Sequence, residues 1–180
     1  RIASFGKPIL LSTGASDLDE IRRAVDWIGA KGAPVALLHC VLNYPTAEID
    51  ANLGRIVTLR QEFPQLPIGY SDHTLPSDLE PLVVAASLGA IVLEKHFTYD
   101  RRLPGNDHYH ALDQEALARQ VERLDRAVRL TGSFDLSYLE SEVVSRQHAR
   151  RSLVAAGPIK AGEVIAESHL IAKRPGNGIS

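Results

Sequence analysis

Four short apolar runs punctuate the chain: "PILLS" (8–12), "PVALLHC" (34–40), "PIGYS" (67–71) and "AIVLEKHF" (90–97). Each is rich in aliphatic or β-branched residues, as buried strands are, and each is followed by polar residues. A helical pattern then follows each run. "SDLDEIRRAVDWIGAKG" places Leu18, Ile21, Val25 and Ile28 on one stripe, with Asp17 as N-cap and Gly29 or Gly32 near the stop. "DANLGRIVTLRQEFP" repeats the stripe at Leu53, Ile56, Val57, Leu59 and Phe63. "SDLEPLVVAASLGA" is more apolar, with Ser77 as a cap and Pro81 in the first turns. "DQEALARQVERLDRAVRLTG" sets Leu117, Val121, Leu124 and Val128 on one face. Strand and helix thus alternate through four units, which predicts an α/β fold with a parallel sheet covered on both faces. Repeat lengths near 25–30 residues suit a (β/α)₈ barrel, of which four units make half.

The texture changes after Gly132. "SFDLSYLESEVVSRQHARRS" reads as a polar connection, and the Gly- and Pro-rich stretch to Ser180 reads as the start of a small β-containing module with too little core to fold alone. The predicted divisions are a half-barrel over 1–132, a linker over 133–151 and the partial module over 152–180.

Composition narrows the function. The 180 residues are 44% hydrophobic and 23% charged with a formal charge of −2, so nothing favours nucleic acid or a polyanion as partner. The single Cys40 forms no intrachain disulfide, which points to a reducing compartment, and its place after an apolar run makes it buried and inert. The longest apolar stretch, 82–93, is too short for a bilayer and no signal-peptide pattern opens the chain. A cytoplasmic protein without a membrane partner is the expectation.

Chemistry gathers where the strands end. Ser12-Thr13-Gly14, His39-Cys40, Ser71-Asp72-His73 and Glu94-Lys95-His96 close the four runs, and ligands of parallel barrels bind at that end. Alternation puts Ser71 and His73 on one face of their strand, and Glu94 and His96 on one face of theirs. Two imidazoles and a carboxylate so placed can hold a divalent transition metal with open positions, or the histidines can simply cap and pack.

The stretches "KPILLSTGAS", "LLHCVLNYPT", "IGYSDHT", "LEKHFTYDRRLPGNDH" and "KRPGNG", in this order over residues 7–180, resemble the sialic acid synthase family, with its N-acetylneuraminate, legionaminic, pseudaminic and spore-coat members. The resemblance implies strands five to eight of a (β/α)₈ barrel followed by the start of an antifreeze-like SAF domain. It implies condensation of phosphoenolpyruvate with an N-acetylated sugar aldehyde such as N-acetylmannosamine, giving a nonulosonic acid and phosphate. It further implies a domain-swapped homodimer, and a first half-barrel outside this sequence that carries a glutamate and the phosphoenolpyruvate-binding lysines, so that residues 1–180 alone are expected to be inactive and poorly soluble or oligomeric. Residue by residue, His73 and His96 match manganese ligands, and Ser12 and Ser71 match phosphoenolpyruvate contacts. Tyr44, Glu94 and Asp107 match residues of the sugar pocket and metal region, the two carboxylates as catalytic groups, and Arg174 matches an arginine that reaches the N-acetyl group in the partner's site. His39, His108, His110, His148 and His169 match no ligand position and read as structural or surface residues.

Plain roles also suit these residues: turn caps for Ser12 and Asp107, packing for Tyr44, a solvated charge for Arg174. One departure stands out. Many family members place Ser or Asn two residues before the tyrosine of "YP", where this chain has Leu42, with Asn43 one position later; on a strand that shift turns the polar group to the other face. Two alternatives remain open at this level: another phosphoenolpyruvate-dependent aldol-type synthase, against which the SAF-like tail argues, and a non-catalytic carbohydrate-binding or assembly module.

Overall fold

The computed structural model describes residues 1–77 and 79–180, in two compact units, 1–132 and 133–180. In the first, strands β1 (Ile9–Ser12), β2 (Val35–Cys40), β3 (Ile68–Asp72) and β4 (Val92–Lys95) form a parallel sheet in sequence order. Helices α1 (Leu18–Gly29), α2 (Arg55–Glu62) and α3 (Glu80–Ser87) connect them, and α4 (Gln114–Thr131) follows β4. The sheet curls as half of a (β/α)₈ barrel. Each crossover needs a helix because parallel strands cannot be joined by a tight turn.

The register sorts the strand residues into two faces. Leu37, Ile68 and Tyr70 turn toward the helices and meet Ile21, Ile56, Leu59 and Leu82 in the main core. Ile56 and Leu37 are fully buried, each burial stabilising by about 1.5–3 kcal/mol. The other face carries Ser12, Cys40, Ser71 and Glu94, with Cys40 opposite Ser71 and Ser71 opposite Glu94. This is the lumen face, and β3 and β4 approach closely on it at Gly69, where an added Cβ would clash with the Val92 carbonyl oxygen.

Helix starts follow local chemistry. The Asp17 carboxylate accepts from the Glu20 amide at 2.9 Å while Glu20 accepts from the Asp17 amide at 3.0 Å, a reciprocal capping box. Asp113 caps α4 by accepting from the Ala116 amide at 2.8 Å. At α3 the expectation needs correction: the cap position is Leu79, in the left-handed region at φ 60°, and not Ser77, although Pro81 does lie in the first turn. The stripe read on α4 also differs. Leu124 packs against the core and Ala116 and Gln120 are buried, but Leu117, Val121 and Val128 are exposed. Within the chain α4 packs on α3, so only one edge of its stripe is covered.

Two polar features lie on the helix-facing side. His39, 2% exposed, donates from Nε2 to the Ala51 carbonyl at 2.7 Å and stacks on Tyr70. Burial, aided by the Arg55 charge and opposed by the Ala51 hydrogen bond, holds its pKa below the ordinary 6.5. The unfolded chain therefore binds the proton first as pH falls. The stability that neutral His39 contributes is complete above pH 6.5 and is lost progressively below it. Urea midpoints should fall as pH drops below about 6.5, and His39→Gln should flatten that part of the profile; an unchanged slope in the variant would assign the acid sensitivity elsewhere.

The second feature is an ion pair: Lys95 Nζ lies 2.6 Å from Asp72 Oδ2, with side chains 4% and 1% exposed. Lys95 also donates to the Thr74 carbonyl at 2.7 Å, and Asp72 accepts from the Tyr70 hydroxyl at 3.0 Å and the Thr74 amide at 2.9 Å. The network ties the ends of β3 and β4 together immediately before His73 and His96.

The second unit holds a 3₁₀ turn (Glu140–Glu142) and a helix, α5 (Val143–Ala149), within the polar stretch 133–151. An antiparallel pair follows, β5 (Ser152–Ala155) with β6 (Leu170–Lys173). Among the described residues no helix is long and apolar enough to cross a membrane.

Candidate active site

The site is built where β2, β3 and β4 end. His73 follows Asp72, the last residue of β3, and is 4% exposed. Its Nδ1 lies 2.8 Å from the Val41 carbonyl and 3.8 Å from the Cys40 sulfur. A carbonyl can only accept, so in the neutral ring Nδ1 carries the proton and Nε2 the lone pair. His96 follows β4, its ring centroid 5.3 Å from that of His73. The two histidines that follow the strand ends thus come together.

Tyr44 covers them. Its ring centroid is 4.1 Å from that of His73 and 5.8 Å from that of His96. The loop bearing Tyr44 is held by Thr46, whose amide donates to the His73 carbonyl at 2.8 Å and whose hydroxyl donates to the Asn43 carbonyl at 2.8 Å. Because β2 ends at Cys40, Leu42 and Asn43 lie in this loop. Strand alternation therefore does not govern them, and the expected flip of the polar group does not apply. Cys40 is buried as read, and burial pushes its thiol pKa up.

On the lumen face the Ser71 hydroxyl donates to Glu94 Oε2 at 2.7 Å. The pair links β3 to β4 two residue pairs before the histidines and fixes the carboxylate at the mouth. Ser12 ends β1 on the same face and is exposed.

The loop after β4 folds back over the site. The Leu112 amide donates to the His96 carbonyl at 2.8 Å, and the Thr98 amide donates to the Leu112 carbonyl at 2.8 Å. Tyr109 reaches the other loop, its hydroxyl donating to the Tyr44 carbonyl at 2.8 Å. These ties bring two loop residues to His96: Asp107 Oδ1 lies 3.9 Å from His96 Nδ1 and 3.6 Å from His110 Nε2. One ligand atom from each of His96, Asp107 and His110 falls within 4.8 Å of the others, a spacing that fits donors around one metal ion. His110 is the residue that the sequence reading left out. Burial first, then the neighbouring His96 charge, holds its pKa below the ordinary 6.5, with Asp107 opposing.

Residues 1–135 match the NeuB family and residues 150–180 match the SAF domain. The chain belongs to the NeuB family. It is 43% identical over 180 residues to an uncharacterized protein of Methanocaldococcus jannaschii, covering 99% of this chain and 52% of that one. It is 40% identical over 183 residues to the N,N'-diacetyllegionaminic acid synthase of Legionella pneumophila, covering 99% and 51%. Among solved structures it resembles the N-acetylneuraminic acid (sialic acid) synthetase of Leptospira borgpetersenii in complex with citrate, with a TM-score of 0.74 and 38% identity over 80% of this chain and 50% of that one. The chain spans about half the length of the curated relatives it matches.

In this NeuB-family chain Arg174 follows β6, is exposed, and donates from Nε to the Ala149 carbonyl at 2.9 Å. Each of the two units carries one part of the set of residues named from the sequence.

Proposed function

We propose that this chain supplies the strand-five-to-eight half of a synthase that joins phosphoenolpyruvate to an N-acetylated sugar aldehyde, giving a nonulosonic acid and phosphate. The observation that carries the reading is the convergence of His73, His96, Tyr44 and the Ser71–Glu94 pair at one barrel mouth in a NeuB-family chain. His73 and His96 would hold a divalent ion, Mn²⁺ by the family resemblance. The chemistry such an ion supplies when bound is Lewis acidity toward the aldehyde oxygen.

The residues themselves do the rest. C3 of the enol attacks the aldehyde carbon, the new C–C bond forms, and positive charge develops at C2. Glu94 faces the mouth and stabilises that charge, or takes the proton as water adds to C2. Collapse of the resulting tetrahedral carbon breaks its bond to the phosphate oxygen and frees phosphate. The proton shed by the adding water balances the one that the former aldehyde oxygen takes up, and Asp107, at the mouth, passes it on. Ser12 donates to the carboxylate or phosphate of phosphoenolpyruvate, Ser71 turns its hydroxyl hydrogen from Glu94 to the same ligand when it binds, and Tyr44 packs on the sugar. The assay is phosphate release by the full-length protein from phosphoenolpyruvate, with and without N-acetylated aldehyde sugars, and mass analysis of the product. Sugar-dependent release with a C3-extended product supports the reading; release without sugar, or none with any N-acetylated hexosamine or its deoxy analogues, sinks it.

The reading extends to a domain-swapped homodimer in the cytoplasm, in which Arg174 reaches the N-acyl group of sugar bound in the partner's barrel. Nε is occupied by Ala149, and the two terminal nitrogens of the guanidinium carry its other N–H donors. A charged hydrogen bond to an amide carbonyl is worth about 1.5–3 kcal/mol. Arg174→Ala should therefore weaken sugar use roughly ten- to a hundredfold and leave phosphoenolpyruvate binding unchanged. Mixing full-length His73→Ala and Arg174→Ala subunits should restore activity through heterodimers with one intact site. Heterodimers that form and stay inactive would place the arginine in its own chain's site or in none.

A further inference from the structure

The inference rests on the divalent-ion reading above and concerns a residue outside it. His110 has 0% side-chain exposure, yet neither Nδ1 nor Nε2 has a hydrogen-bond partner among the described residues. Buried imidazole nitrogens left unpaired lose solvation without compensation, so such a site calls for a ligand that the fold alone does not supply. The surroundings say which kind. The His110 ring centroid lies 4.8 Å from that of His96 and 6.4 Å from that of His73, with Tyr44 at 5.5 Å. The nearest carboxylate oxygen, Asp107 Oδ1, is 3.6 Å from Nε2, too far for a hydrogen bond but suited to two donors around a common ion. Donors about 2.1 Å from one centre stand roughly 3–4 Å apart, and the 3.6 and 3.9 Å separations to Asp107 fall in that interval.

We propose that His110 is a further imidazole ligand at the barrel mouth, sharing an ion with His96 and Asp107, the three residues whose donor atoms lie within 4.8 Å of one another. The loop geometry makes this a built position. The ties of Leu112 to His96 and of Tyr109 to Tyr44 fasten the loop on both sides of His110.

The consequence is metal choice. Imidazole favours borderline ions such as Co²⁺ and Zn²⁺, whereas carboxylate and water suit Mg²⁺ and Mn²⁺. The added imidazole should give the site a wider preference for Co²⁺ over Mg²⁺ than it has without His110.

The experiment titrates Co²⁺ into the full-length protein, following the visible d–d absorption and the binding heat, for wild type, His110→Gln, His110→Phe and Asp107→Asn. Near-UV circular dichroism confirms the fold of each. Removing an outer-shell partner of a metal ligand costs about 10–100-fold in affinity, so loss of a direct ligand should cost at least tenfold. The expected result is that weakening in both His110 variants, a changed absorption band, and a Co²⁺-over-Mg²⁺ preference reduced in the same proportion. Co²⁺ binding and spectrum unchanged in His110→Gln, with wild type binding normally, overturn the inference and leave the two-histidine reading standing. A wild-type protein that binds no Co²⁺, Mn²⁺ or Zn²⁺ overturns both. If only one His110 variant retains a native fold, its titration alone decides between these outcomes.

Discussion

Full-length His73→Ala is expected to lose the proposed condensation activity by a thousandfold or more while its fold persists. His73 stands past the end of β3, at the barrel's functional end, and the sheet register is set by residues before it. Its Nδ1 is committed to Val41, so Nε2 is the atom available for chemistry. Removing the ring takes away one of the two imidazoles of the proposed pair. Outer-shell losses already cost about 10–100-fold in metal affinity or activity, and a direct ligand that also orients the electrophile should cost more. Two measurements separate the roles. Mn²⁺ affinity by electron paramagnetic resonance titration should fall in parallel with the rate. The unfolding midpoint should move by the modest amount that a buried ring and one hydrogen bond explain. Normal Mn²⁺ binding with absent activity would instead make His73 a contact of substrate alone. Normal activity would remove it from the site.

How far could this arrangement be read from the chain? Features governed by spacing of two or of about 3.6 residues were legible. Alternation placed Ser71 with His73 and Glu94 with His96, and the 2.7 Å Ser71–Glu94 bond and the 5.3 Å His73–His96 approach are its three-dimensional forms. Asp17 declared its helix because the side chain that caps it is local. What escaped was set by loops and by tertiary cover. His110 lies between turn residues with no period to place it, and it reaches His96 only because Leu112 pairs with the His96 carbonyl. A signal did exist: "NDHYH" (106–110) sets an aspartate and two histidines within five consecutive residues of the loop after β4. Leu42 and Asn43 misled because alternation was extended past Cys40, where β2 stops. Leu117, Val121 and Val128 form a real stripe, but a stripe states what a helix can bury, and the partner decides what it does bury. Lys95 and Asp72 were visible only as charges beside the two histidines. Their pairing depends on the β3–β4 register, which sets Asp72 opposite Lys95.

That pair carries the largest stability effect expected in the chain. Lys95→Met keeps much of the aliphatic stem but removes the ammonium from a site where both side chains are at most 4% exposed. Asp72 then keeps its bonds from Tyr70 and the Thr74 amide but loses its counter-charge, and the Thr74 carbonyl loses a donor. Breaking a buried pair from one side costs about 3–5 kcal/mol, because the remaining charge stays desolvated. Urea unfolding should register that loss. Adding Asp72→Asn should recover most of it, since the amide oxygen can still accept from Tyr70 and Thr74 while the uncompensated charge is gone. A double variant no more stable than Lys95→Met would show that geometry, and not charge, is what the pair contributes. The effect should also reach the site. His73 and His96 are the next residues along their strands, so loosening the Asp72–Lys95 tie frees the two imidazoles to separate. In the double variant, with stability restored, Mn²⁺ affinity should remain below wild type if the ion pair also positions the histidines. Full recovery of both stability and affinity would confine the pair to holding β3 against β4.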